Sequence, residues 1–247
     1  MKKEYWIILI AYIAMQLSSL FGVPLVLLAA DALGQNPENM QILAVAYWLV
    51  ISFTITLIIT LLLLRKEMKR GLDRDASSVA GSVGWAIGGI FLALIAQATA
   101  ASIENLIGIE MGSENTQQII RIIEASPIVI LISSVIGPIL EEIVFRKIIF
   151  GSLHKRFNFF LSALISSVIF ALAHFEPEHV LLYSAMGFTF AFLYVKTKRI
   201  IVPIFAHVAM NTFVAVVQLN QDNITKVVKG NGKHAELYQL FLAGEMF

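Results

Sequence analysis

The side chains able to do chemistry in this chain sit where charge is costly. Glu141, Glu142 and Arg146 come directly after a long apolar run, 128–140, and lead into Lys147 and a second apolar stretch, 148–150. Near a bilayer centre a carboxylate or guanidinium costs at least ~2.5–3.5 kcal/mol. Such groups persist when they pair, line a wet cavity or react. On a helix Glu142 and Arg146 are i and i+4 and can pair. Glu141 then lies about 100° around the axis, without a local cation, because position 145 is Phe. One carboxylate is neutralised and the other is left to point elsewhere. A buried structural ion pair is the alternative for this stretch taken alone.

Three more polar groups lie within apolar runs. His174 ends Phe170-Ala171-Leu172-Ala173-His174, and His207 and Asn211 are spaced i and i+4 in His207-Val208-Ala209-Met210-Asn211. One face of a helix thus presents an imidazole and a carboxamide about one turn apart. Both offer N–H donors, and two converging donors are what a developing oxyanion requires. Membrane helices also use His and Asn simply to bond a neighbouring helix. A free Glu, two His and an Asn on three spans together supply a base, a second proton carrier and two donors.

The elements that must position these groups are membrane helices. Of 247 residues 58% are hydrophobic and only 14% are charged, well below the ~25% charged residues of a soluble domain. The apolar residues come in long blocks, which predicts an all-α, polytopic membrane helical bundle of about seven to eight spans. The expected spans are 5–30, 41–64, 84–103, 119–150, 159–175, 179–195 and 200–219. The fourth is too long for a single crossing. It is expected to begin as an interfacial turn bearing Arg121 and Glu124 and to cross from about Pro127. The stretch 237–247 is too short to assign as an eighth span. Met1-Lys2-Lys3 and the adjoining apolar run resemble a signal peptide, with a cleavage-like Ala29-Ala30-Asp31-Ala32. The run 5–30 exceeds an h-region of about 7–15 residues, so it is expected to be a retained first span. With no repeat and no low-complexity linker, 1–247 reads as one integral membrane domain.

Positive charge sets orientation. Lys2 and Lys3, the cluster at 65–74, Lys155 with Arg156, and the cluster at 196–199 all fall on one side of a seven-span chain. Loops 31–40, 104–118 and 176–178 fall on the other with no Lys or Arg. The expectation is a multi-pass protein of the cell membrane with a cytoplasmic N-terminus. Lys226, Lys229 and Lys233 of the tail run against that rule. Gly81, Gly84, Gly88, Gly89, Ser133, Ser134, Gly137, Ser162, Ser166, Ser167 and Gly187 are small residues of the kind that let membrane helices approach closely. No Gly-x-Ser-x-Gly stretch or paired Ser–Lys arrangement supports a serine protease. Cys is absent, which removes thiol nucleophiles and cysteine metal sites. A net charge of +1 without a basic stripe gives no nucleic-acid partner.

Taken together, Glu141-Glu142-x-x-x-Arg146, Phe170-x-x-x-His174 and His207-x-x-x-Asn211 resemble the three signature motifs of the CPBP family, the CAAX-processing and bacteriocin-immunity (Abi) membrane proteins. All three occur in order, each on an apolar span, and the resemblance covers about 127–214, the catalytic motif region. Length and layout also resemble bacterial MroQ-type members linked to peptide-pheromone processing. The resemblance implies an intramembrane glutamic endopeptidase. In it Glu141 with His174 activates a water, His207 with Asn211 stabilises the tetrahedral oxyanion, and Glu142, Arg146 and Phe170 support the site. By simple counting Arg146 falls near the basic connection and His174 near the far end of its span. Tilted helices or a re-entrant stretch at 151–158 are then needed to bring them level.

Three other functions use the same residues. Glu141, His174 and His207 have the composition of a zinc site, although no His-Glu-x-x-His helix is present. A proton-coupled transporter would relay protons through them, but the inverted repeat that would favour one is not seen. A silent membrane partner has no need of such a set. The protease chemistry itself calls for no metal or other cofactor. Its partners are the lipid bilayer and a membrane-associated peptide or protein substrate, which a cytoplasm-facing cavity would restrict to lipidated or amphipathic peptides at the inner surface.

Overall fold

The computed structural model describes residues 1–69, 75–110 and 112–220. Arg70, Arg74, the tail lysines Lys226, Lys229 and Lys233, and the stretch 237–247 lie outside them. The described chain is helical throughout: α1 (Lys3–Ala32), α2 (Pro37–Met68), α3 (Val79–Leu106), α4 (Glu114–Ala125), α5 (129–153), α6 (Phe159–Leu172), a 3-10 turn (Pro177–His179), α7 (Val180–Thr197) and α8 (Ile201–Leu219). Five helical stretches are long and apolar enough to cross a membrane, namely α1, α2, α3, the 3-10 turn with α7, and α8. The chain is a multi-pass helical membrane bundle.

Local chemistry sets the boundaries. Asn36, Ser78, Ser113 and Asn158 each cap a helix by accepting a backbone N–H, from Glu38, Gly81, Thr116 and Leu161 respectively. The long fourth apolar stretch divides as expected at Pro127. Ser126 is pushed to extended backbone (φ −148°, ψ 92°), since a residue before proline disfavours the helical region. On the N-terminal side of this break lies a separate amphipathic helix, α4. On its C-terminal side α5 departs from a plain α-helix: Ile132–Ile136 and Glu142–Phe150 are π-helical. Wide turns of this kind recur at functional sites.

Helix α1 packs on α2, α3 on α7 and α8, and α6 on α7, while α5 touches α1, α2, α6, α7 and α8. Small residues make the closest approaches. A Cβ on Gly187 of α7 would lie 2.7 Å from Ser167 Cβ and 3.0 Å from its Cα on α6. Leu140, Phe145, Phe170, Phe190 and Met210 close the core, and large apolar side chains such as Phe21, Leu28 and Phe91 are left on the outside, where lipid can cover them.

The basic segments meet at one end. Glu67 at the end of α2 pairs with Lys2 and with Lys147 (3.3 Å). Lys198 pairs with Asp75, and Arg199 Nε donates to the Ser77 carbonyl at 2.8 Å. At the opposite end Glu104 of α3 accepts from the Leu182 amide at 2.9 Å and bonds His179 Nδ1 at 2.9 Å, capping the start of α7.

Candidate active site

Helix α6 spans only 14 residues, and its brevity solves the levelling problem. Ser166 of α6 donates to the Phe145 carbonyl of α5 at 2.8 Å, so Arg146 stands beside the middle of α6. The helix then ends at Leu172, and His174 sits little more than a turn above Phe170. No re-entrant stretch is involved: 151–153 is helical and a short turn leads into α6.

The two glutamates occupy different environments. Glu142 is fully buried, as is Arg146. Arg146 Nε lies 3.2 Å from Glu142 Oε2, the i,i+4 pair expected from the sequence. The guanidinium is flanked by aromatic faces, 4.2 Å from the Phe170 centroid and 5.2 Å from that of Phe190. Desolvated cation–π contacts of this kind contribute about 2 kcal/mol. Glu142 has a second partner that the sequence did not disclose. Its Oε1 accepts from His207 Nδ1 at 2.8 Å. Glu141 instead is 19% exposed and faces a cavity, with its Oε2 3.7 Å from His207 Nε2.

Hydrogen bonding fixes both imidazoles. A carboxylate only accepts, so His207 donates from Nδ1 and turns Nε2 toward Glu141. The ring also stacks on Phe190 at 4.5 Å. His174 Nδ1 donates to the Phe170 carbonyl at 2.8 Å, which in the neutral ring leaves Nε2 as an acceptor. Phe170 thus touches three members of the set: its carbonyl holds His174, and its ring meets Arg146, packs edge-on against His174 at 4.6 Å and lies edge-on to His207 at 6.2 Å.

Glu141, Phe170, His174, His207 and Asn211 all line one cavity of about 490 Å³. That is within the ~300–1,000 Å³ of typical ligand sites. All four residues expected to do chemistry are therefore brought together, and Glu142 and Arg146 lie directly behind them. Among the described residues no three His, Asp or Glu side chains are grouped as a metal ion would need.

Two flanking residues were missed by sequence reasoning. Tyr183 stacks on His174 at 4.0 Å, and its hydroxyl donates to Glu176. Glu176 also accepts from Ser113 Oγ (2.8 Å) and the Asn115 amide (2.8 Å), which ties the start of α4 to the site. Burial pushes the Glu176 carboxyl up, but these three donors outweigh it and hold the group below the usual carboxylate range. The only sequence signal was an acidic residue beside a short apolar span.

A family model, "Type II CAAX prenyl endopeptidase Rce1-like", matches residues 123–213, the segment that carries all three motifs. The chain is 52% identical over 223 residues to a putative membrane peptidase, YdiL, of Bacillus subtilis (strain 168), covering 89% of this chain and 91% of that one. It is 36% identical over 167 residues to the membrane-embedded CAAX protease MroQ of Staphylococcus aureus (strain USA300), covering 65% and 67%. No solved structure matches. The similarity to YdiL runs nearly end to end, and the motif residues converge on one cavity: the chain belongs to the Rce1-like CAAX endopeptidase family of membrane peptidases.

Proposed function

We propose that this peptidase cuts its substrate with a water activated by Glu141, without a metal. One observation carries the assignment: Glu142 is enclosed and engaged by Arg146 and His207, whereas Glu141 faces the cavity. Glu141, as a carboxylate, takes the proton of a water whose oxygen bonds to the scissile carbonyl carbon. His174 accepts or relays that proton from Nε2, because its Nδ1 is occupied by the Phe170 carbonyl. The carbonyl oxygen becomes an oxyanion, to which Asn211 donates from its amide. His207 is aimed to do the same from Nε2. A ring protonated on both nitrogens donates one hydrogen bond to Glu142 and the other to the oxyanion, and keeps both protons. Collapse of the tetrahedral species breaks the C–N bond, and the departing nitrogen takes the proton held by Glu141 or His174.

Glu142 and Arg146 hold the imidazole and the helix in place, and Phe170 supports both Arg146 and His174. The competing arrangement is zinc on Glu141, His174 and His207. Metal content of the purified protein and the effect of a chelator separate the two. Metal-free protein that keeps full activity supports the glutamate mechanism, and activity that requires stoichiometric zinc contradicts it. The substrates are peptides or proteins at the membrane, with lipidated or signalling peptides the class that the family resemblance suggests. Membrane peptides compared by mass spectrometry between cells carrying the wild type and Glu141→Gln identify the cut bond. Identical peptide sets contradict the mechanism.

A further inference from the structure

The cavity is displaced toward one end of the bundle. On α1 and α2 its lining is near mid-helix, from Tyr12 to Ser19 and from Trp48 to Phe53; on α3 it is Gln97, nearer Leu106 than Val79. On α7 it includes Tyr183, at the Val180 end, and on α8 it continues from His207 past Asn211 to Ala215, toward Leu219. The apolar face of α4, with Ile119, Ile120 and Ile123, covers it. Toward the other end it is stopped by a plug of buried side chains: Phe145, Arg146, Phe170 and Phe190 are each no more than 2% exposed.

The plugged end is the one where Lys2, Lys147, Lys198 and Arg199 are tied together. Of the exposed lining residues, Asn115 and Phe175 lie at the α4 end and Ser19 lies midway along α1. By the Lys/Arg asymmetry the basic end is cytoplasmic, so the open end faces outward.

Chemistry narrows what can enter. Among the described lining residues Glu141 is the one Asp, Glu, Lys or Arg side chain; the others are apolar, hydroxyl-bearing, amide or imidazole groups. A bound carboxylate would meet the like charge of Glu141, and a bound ammonium would pair with the proposed base.

Accepting the cavity as the peptidase site, we propose that the substrate is an uncharged stretch of polypeptide that enters from the outer face of the membrane, past α4, and not from the cytoplasm. The bond presented to Glu141 then belongs to an exported segment or to the outward end of a membrane-spanning one.

Because the chain has no cysteine, access can be measured apart from cleavage. Single cysteines are placed within the cavity (Ser133→Cys and, independently, Gln16→Cys) and at the basic end (Lys155→Cys). Right-side-out membrane vesicles are treated with a small, charged, membrane-impermeant methanethiosulfonate, and modification of the full-length protein is read by mass. The expected result is modification of the two cavity cysteines in sealed vesicles and of Lys155→Cys only after the membrane is opened. Cavity cysteines that react only in opened vesicles overturn the proposal, as does a Lys155→Cys that reacts from outside. Cut sites supply the second arm. Bonds lost from the peptide set in Glu141→Gln should map to outward-facing flanks, and cuts at cytoplasmic flanks overturn the proposal. If the two peptide sets are identical, the glutamate mechanism has failed, and the labelling decides access by itself.

Discussion

His207 donates from Nδ1 to Glu142 Oε1 at 2.8 Å, across 65 positions of sequence. Through this bond Glu142 serves two groups at once, the arginine on its own helix and an imidazole on α8. Its removal should therefore be felt twice. Glu142→Gln leaves Arg146 charged and buried, and breaking one side of such a pair costs about 3–5 kcal/mol. The variant should melt early in detergent and lose activity. Adding Arg146→Met should restore part of the melting temperature but not the activity, because His207 still lacks its carboxylate. Full recovery of cleavage in the double variant would show that Glu142 acts only through Arg146.

Asn211 lies one turn beyond His207 on the cavity wall. Removing a single oxyanion donor lowers turnover by about 10²–10³. Asn211→Ala should lower kcat to that extent and leave KM for the same peptide nearly unchanged. A raised KM with wild-type kcat would make Asn211 a substrate-binding residue instead.

The i,i+4 spacing of Glu142 and Arg146 was legible because both partners lie on one turn of helix. So were the polar set on apolar runs, the helical class and the break at Pro127. The bond from His207 to Glu142 was not legible, because it depends on how α8 packs against α5. Nor were the π-helical turns of α5 at Ile132–Ile136 and Glu142–Phe150. Counting at a uniform rise also placed His174 too far from Arg146, since it continued the span to Phe175 when α6 ends at Leu172. The tie of Glu176 and Tyr183 to Ser113 and Asn115 joins two segments more than 60 positions apart in sequence. Single-residue patterns carry no trace of it.

Two glycines separate backbone contact from side-chain contact. A Cβ on Gly187 meets the Cβ and Cα of Ser167, whereas one on Gly89 meets the methyl tips of Leu193 at 2.6 Å and 3.2 Å and Ala206 Cβ at 3.3 Å. A leucine tip can move more readily than a helix backbone. Overpacking costs about 1–3 kcal/mol, and Gly187→Ala should fall in that range while Gly89→Ala costs less. Melting temperatures of the two purified variants check the order. Equal losses would mean that α6 can shift away from α7.

Glu176 gives stability a pH dependence. Its folded-state carboxyl titrates below its unfolded value, so its contribution is complete above the unfolded value of about 4.3 and is lost as pH falls through the folded one. Glu176→Gln should lower the melting temperature at pH 7. Its difference from the wild type should shrink below about pH 4. A difference that stays constant down to pH 3 would show that the carboxylate charge contributes nothing to the tie.

The most direct measurement is cleavage and melting of Glu141→Gln side by side with the wild type, on one purified peptide substrate in detergent. Gln keeps the size of the side chain and removes the base, and Glu141 has no ion-pair partner on its own helix to lose. The glutamate mechanism predicts abolished cleavage at an unchanged melting temperature. A Glu141→Gln protein that still cleaves at the wild-type rate would contradict it.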